Sequence, residues 1–211
     1  MKSPEMPRTL ALDSDQADEQ KDVETASESA AVRFYNEHRD FFTAYASDTS
    51  LDIQPPLPGQ KGFAIDLENG KLYADPSFFS ERGYEGDKIA FGYLHEFEHF
   101  RELKALLAEP RGAAVFRRLA EKAKAKPRYH ILDNCFDDIK MNRAVADRAP
   151  SLRETRSHVY RENLFASADL TQKPKHLQFA YAILREARLP DEPTTVDPVV
   201  RVEIDALKKM T

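Results

Sequence analysis

The sequence predicts a mostly helical α+β protein with one small sheet. Apolar residues recur at helical spacing in several long segments from Ala30 onward. Residues 62–75 instead alternate apolar and polar side chains on both sides of Asn69-Gly70, a pair that suits a tight β-hairpin. Neither an internal repeat nor a second break in composition follows Ala30, so we expect residues 30–211 to form a single domain.

The composition is that of a soluble globular protein. Of the 211 residues, 41% are hydrophobic and 32% are charged, and no apolar run approaches the length of a membrane span. Residues 1–16 lack the apolar core of a secretory signal, which makes a cytoplasmic location the expectation. The single cysteine, Cys135, excludes an intrachain disulfide and a cysteine-rich zinc module. Any metal must therefore be bound by nitrogen and oxygen ligands.

The net charge of −5 comes from an acidic arm, residues 1–29, which contains three basic and eight acidic residues. The remaining chain carries 28 basic and 28 acidic residues, so it offers no electrostatic reason to expect nucleic-acid binding. The arm has few apolar residues and no periodicity, and we expect it to be disordered and solvated. Contact with a partner, or masking of the active site, is the alternative role for such an arm.

The predicted elements before the central motif are a helix, a connection and a hairpin. Residues 30–47 have helical spacing. Residues 51–62 are proline-rich, which disfavours a helix there. The hairpin around Asn69-Gly70 follows, and Asp87 is then placed to be the N-cap of a helix that runs to about Ala108, before Pro110.

The remainder of the chain is predicted to be helical. Prolines separate the segments, and Pro174 sits at a helix start, where its missing N–H costs little. The predicted helices span 113–126, 129–148, 151–165, 174–188 and 197–210.

The candidate site lies in the sequence HEFEH, residues 95–99. On a helix, His95 and His99 share one face, so both rings can direct a nitrogen at a metal about 2 Å away. Glu96 is rotated from His95 by about 100° and can reach a water on the metal without becoming a ligand. That position is suitable for a general base, which is the chemistry behind the HExxH pattern.

Context favours the metal interpretation over chance, since this composition produces an HExxH in about one chain of a hundred. An apolar lead-in, residues 89–94, would bury the motif, and the predicted hairpin precedes it, where a strand can hold an extended peptide. Glu98 departs from the usual pattern because the middle positions are normally uncharged. We expect an ion pair with Arg101 or another basic group to compensate this charge.

A catalytic zinc site needs a third protein ligand. The residues after His99 lack the glycine and third histidine of the HExxHxxGxxH type, and Glu121, the candidate at thermolysin-like spacing, lies in a lysine-rich stretch. Asn134, Asp138 and Asn142 follow one another at intervals of four, which forms a polar stripe beside apolar residues. Asp138 is the favoured ligand and Asp137 the alternative, and a merely solvated polar face is the competing interpretation.

These two motifs together resemble the zincin-type metallopeptidases, particularly bacterial ones that pair HExxH with an N-x-x-x-D-x-x-x-N helix. The resemblance covers about 50 of the 211 residues. It implies a zincin-like domain with a small sheet beside the HExxH helix. It also implies a zinc ion on His95, His99 and Asp138, with Glu96 as the base and a peptide or protein as substrate.

The expected function is hydrolysis of peptide bonds by a metal-activated water. A zincin-fold regulatory or interaction protein, with metal but little hydrolysis, is the alternative, and a helical interaction module with an accidental motif is a third possibility. Five further residues are candidates for a spare ligand or for oxyanion stabilisation, though surface or cap roles are expected for the histidines: His130, His158, His176, Tyr160 and Arg143. Neither a membrane nor a nucleic acid is an expected partner.

Overall fold

The computed structural model describes residues 30–46, 52–66, 69–75 and 77–209. This part of the chain is mostly helical with a small three-stranded sheet, which confirms the predicted α+β class. It divides into two compact units, with the boundary between Ala105 and Leu106. The acidic arm lies outside the described residues, and the single domain over 30–211 stays a prediction.

The first unit contains the sheet and the N-terminal helices. Its elements are α1 (Ala30–Glu37), α2 (Arg39–Tyr45), β1 (Asp52–Gln54), β2 (Phe63–Asp66), β3 (Lys71–Ala74), α3 (Ser77–Glu81) and most of α4 (Asp87–Ala108). The sheet order is β1-β3-β2. Strands β2 and β3 are antiparallel, with Asp66 opposite Lys71, and Gly70 has a φ of 62°. The predicted hairpin is confirmed.

The sequence prediction missed two short elements in this unit and one helix break. Strand β1 lies in the proline-rich connection and pairs in parallel with β3, Ile53 opposite Leu72. Helix α3 precedes α4. The first predicted helix is two helices, because His38 leaves the helical region with φ −111° and ψ 21°. Asp87, the predicted N-cap, is instead the first residue of α4, so the helix begins one residue earlier than predicted.

An aromatic cluster forms the core of the first unit around Tyr93 of α4. The Tyr93 ring lies 5.4 Å from Phe42 of α2, 6.1 Å from Phe63 of β2 and 5.2 Å from Phe79 of α3. All four rings are buried. Aromatic pairs at these separations add to the large apolar area that each ring buries. This cluster therefore holds the sheet against the helix that carries the HExxH motif.

The second unit contains helices only, apart from an isolated bridge between Asp169 and Thr195. Its elements are the end of α4, α5 (Gly112–Ala125), α6 (Pro127–Arg148), a 3₁₀ turn (Pro150–Leu152), α7 (Arg153–His158), a π-helix (Val159–Leu164), α8 (Lys175–Glu186) and α9 (Pro198–Lys208). All the predicted helices are found, although 151–165 combines three helical types. Pro127 and Pro198 are first residues of their helices, where a proline costs least.

Helix α8 is the core of this unit. Residues 180–186 are all buried, and α8 packs against α6 and α9. Across the described part of the chain, no helix combines the length and apolarity needed to cross a membrane.

Candidate metal centre

Helix α4 places the HExxH motif at the border of its buried face. Tyr93, Leu94 and Phe97 are buried, whereas His95, Glu96 and His99 are only partly buried. The apolar lead-in from Ile89 to Leu94 is buried apart from Gly92, but it does not bury the motif side chains as fully as the sequence predicted. The motif's imidazole and carboxylate groups are thus supported by the core without being enclosed by it.

The two motif histidines converge through their ring nitrogens. The Nε2 atoms of His95 and His99 are 3.1 Å apart, and the ring planes are inclined by 80°. Two nitrogen ligands on a tetrahedral zinc ion are separated by about 3.3 Å, given a Zn–N distance of about 2.05 Å. The observed separation is therefore compatible with both nitrogens binding one ion.

The charge of Glu96 acts on a buried phenol, that of Tyr84. Burial raises the pKa of Tyr84 well above its ordinary value, the positive charge of Arg82 opposes this effect, and the negative charge of Glu96 adds to it. The Glu96 carboxylate is consequently within electrostatic reach of a hydroxyl that stays protonated. Tyr84 could not be identified from its position in the sequence, because it lies in the short loop before α4 and has no diagnostic spacing.

Glu98, which brings an unusual charge into the motif, is buried, with 4% of its surface exposed. It forms the predicted ion pair with Arg101. The hydroxyl of Tyr45 donates to its Oε1 at 2.8 Å, and Arg101 donates to the Tyr45 carbonyl at 2.7 Å. Glu98 therefore belongs to a structural network that joins α2 to α4, which the sequence predicted only as far as Arg101.

Helix α6 carries the predicted polar stripe in the second unit. Asp138 is partly buried and accepts a hydrogen bond from the Asn134 amide at 3.3 Å. Asn142 is 1% exposed, and its amide donates to the hydroxyl of Tyr160 at 2.6 Å. The Asn134 amide thus orients the Asp138 carboxylate, while the Asn142 amide is hydrogen-bonded to the π-helix through Tyr160.

Cys135 lies one turn before Asp138 and is buried. Burial, with a smaller effect from the negative charge of Asp138, raises the pKa of its thiol to about 12. Among the described residues, Cys135 does not belong to a group of three or more potential metal ligands.

Three of the predicted site residues form one group of potential metal ligands. One nitrogen of His95, one nitrogen of His99 and one carboxylate oxygen of Asp138 all lie within 4.8 Å of one another. Two imidazoles and one carboxylate are a donor set that zinc accepts readily. Asp137, the alternative ligand, is exposed and is not in this group.

The other candidates from the sequence lie elsewhere in the described chain and do not belong to the ligand group. Glu121 is exposed on α5, and Arg143 is exposed on α6. The Nδ1 of His158 lies 2.7 Å from Glu162 Oε1. His130 and His176 are partly buried in the first turns of α6 and α8.

Comparisons of the chain with known protein families, curated proteins and solved structures found no match. The site is therefore interpreted from its own chemistry.

Proposed function

We propose that this chain is a zinc-dependent peptidase in which His95, His99 and Asp138 hold the metal. The observation that supports the proposal most strongly is the convergence of these three side chains to within 4.8 Å, at an HExxH motif. Three ligands with one position left for water are typical of catalytic rather than structural zinc.

When bound, zinc would polarise a carbonyl and lower the pKa of a water molecule toward neutrality. Glu96 is the residue that would accept the proton from that water and deliver it to the leaving amine. Its place beside His95, without membership of the ligand group, supports this role. Asn134 would hold the Asp138 carboxylate in the orientation that binds the metal.

We also propose a zincin-like arrangement of the first unit. The support is that α4 carries the motif and packs beside the small sheet through Tyr93 and Phe63. Strand β2 is at one end of the sheet order among the described residues. An extended peptide substrate could add to such a strand through main-chain hydrogen bonds.

Metal content is the first test. The untagged protein, analysed by elemental mass spectrometry, should contain about one zinc per chain, as expected for a single site. His95→Ala should lose the metal, and Asp138→Ala should bind it more weakly. His158→Ala is the matched control, since His158 is paired with Glu162 and outside the ligand group. A protein that binds no zinc even after its addition would contradict the proposal.

Hydrolysis is the second test, with unstructured proteins as substrates. Glu96→Gln should keep the metal and lose at least about a hundredfold in rate, which is the usual contribution of a general base. Metal binding without any hydrolysis, in both the unmutated chain and Glu96→Gln, would instead favour a regulatory metal-binding protein. Absence of metal would favour a helical interaction module.

A further inference from the structure

Two arginines of the second unit donate hydrogen bonds to carbonyls of helix α6, in the turn that follows Asp138 in the sequence. Arg188, two residues beyond the end of α8, donates through Nη2 to the carbonyl of Ile139 at 2.9 Å. Arg156 of α7 donates through Nη1 to the carbonyl of Asn142 at 3.1 Å. These carbonyls are three residues apart and so lie on one side of α6. Ile139 is the residue directly after Asp138.

Both guanidinium groups are partly buried, yet neither has an acidic partner among the described residues. The Nε atoms of Arg156 and Arg188 are buried and make no hydrogen bond. Other arginines in this unit do pair with carboxylates: Arg161 and Arg185 with Glu192, and Arg201 with Glu186. Arg156 and Arg188 are therefore incompletely satisfied cations.

The charges around this pair are predominantly positive. Burial, together with the charges of Arg156 and Arg143, lowers the pKa of Arg188 to about 10, against an opposing effect of Tyr160. Burial likewise lowers the pKa of Arg156, with Arg153 and Arg143 adding to the effect, while Tyr160 and Asp147 oppose it. Desolvated like charges without a counter-ion are costly, and a bound anion would relieve that cost.

We propose that Arg156 and Arg188, with the exposed Arg143 at the rim, bind a carboxylate group of the peptide substrate. The planar guanidinium fork matches a carboxylate in geometry. The identification of the anion as part of a peptide depends on the proposed function, whereas the anion site itself does not. The carboxylate is either the C-terminus of the peptide or an acidic side chain, and both present the same group.

The test is a binding measurement on Glu96→Gln, which separates affinity from hydrolysis. Three short acetylated polyalanine peptides are titrated by calorimetry: one with a free C-terminal carboxylate, one amidated, and one amidated with a central glutamate. We expect one carboxylate-bearing peptide to bind at least about tenfold more tightly than the neutral one. Which of them does so identifies the source of the carboxylate. Equal affinity for all three peptides would overturn the proposal.

Substitutions of Arg156 and Arg188 test whether these residues cause the preference for a carboxylate-bearing peptide. Arg188→Met and Arg156→Met should each remove the tenfold difference, whereas Arg128→Met, which removes an exposed arginine of α6, should preserve it. Arg188→Met should also leave Tm unchanged or raise it, because it deletes an unpaired buried cation. Retention of the preference in both variants, or a lowered Tm with unchanged affinity, would mean that the arginines are structural.

The two proposals can fail separately. If the protein binds no zinc and cleaves nothing but still prefers the carboxylate peptide, the peptidase proposal is wrong and the anion site stands. If the protein binds zinc and cleaves peptides without any carboxylate preference, the anion site is wrong and the peptidase stands. Repeating the titration with a chelator present distinguishes an arginine-bound carboxylate from one bound by the metal.

Discussion

At the scale of single residues, Asn134 gives the most direct prediction. Its amide donates to Asp138 at 3.3 Å, so it restrains the proposed ligand without contacting the metal itself. Loss of such an outer hydrogen bond typically weakens metal binding by 10–100-fold. We expect Asn134→Ala to lower zinc affinity by about tenfold while one zinc per chain still binds at saturation. Competition with a chromophoric chelator measures the change.

Asp137→Ala is the matched control for this measurement. Asp137 is exposed on the same helix and outside the ligand group, so its removal should leave zinc affinity unchanged. Loss of zinc in Asp137→Ala, with normal binding in Asp138→Ala, would transfer the third ligand to Asp137. Unchanged affinity in Asn134→Ala would show that its amide does not position the ligand.

Single residues also show how far the sequence could predict the site. The spacing of four fixes His95 and His99 on one face, and it places Asn134 beside Asp138, because helical geometry is local. The Glu98–Arg101 pair follows from the same spacing argument. The Tyr45–Glu98 hydrogen bond could not be predicted, since it arises from packing between segments 53 positions apart in the sequence. The hydrogen bonds from Arg156 and Arg188 to α6 could not be predicted for the same reason.

At the scale of elements, the close approach of α3 to α4 depends on Gly92. A Cβ atom added at this position would overlap the ring of Phe79, which is 1% exposed. Alanine favours a helix over glycine by about 1 kcal/mol, but overpacking a buried contact costs about 1–3 kcal/mol. We expect Gly92→Ala to destabilise the first unit by about 1 kcal/mol net. Urea unfolding followed by circular dichroism measures it.

Making Gly92→Ala in a Phe79→Leu variant tests whether overlap with the Phe79 ring causes the destabilisation. The smaller side chain leaves room for the added methyl group, so the double variant should be more stable than the sum of the single effects predicts. Simple additivity of the two substitutions would show that the cost of Gly92→Ala comes from something other than the Phe79 ring.

The elements differ in how well the sequence predicted them. Helices α4, α5 and α6 were predicted nearly to their ends, because apolar periodicity and flanking prolines act locally. Strand β1 is three residues long and exists through its parallel pairing with β3, some twenty positions later, which local composition cannot indicate. The π-helix at Val159–Leu164 likewise has no composition signal.

At the scale of the whole molecule, the balanced charges outside the acidic arm include a buried ionic network in the second unit. Glu186 of α8 is 4% exposed and accepts hydrogen bonds from Arg201 at 2.8 Å and Lys208 at 2.6 Å, both on α9. The backbone N–H of Thr194 adds a third at 2.9 Å. This carboxylate therefore joins the last two helices of the second unit.

The network makes stability depend on pH in the acid range. Burial alone would raise the pKa of Glu186, but the hydrogen bonds from Arg201, Lys208 and Thr194 outweigh it and lower the pKa from 4.5 to about 2. A carboxyl whose pKa is lowered by folding contributes stability that is fully present above about pH 4.5. That contribution is lost as pH falls from there toward about 2.

Glu186→Gln should accordingly be less stable than the unmutated chain by about 2 kcal/mol at neutral pH, a figure reduced for the solvent exposure of Lys208. The difference should shrink below about pH 4.5 and vanish below about pH 2, because the protonated glutamate and the glutamine are then both neutral. Urea unfolding over this pH series measures it. Glu203→Gln, an exposed position on α9, should leave the profile unchanged. A constant difference at every pH would mean that the substitution acts through packing and not through the charge of Glu186.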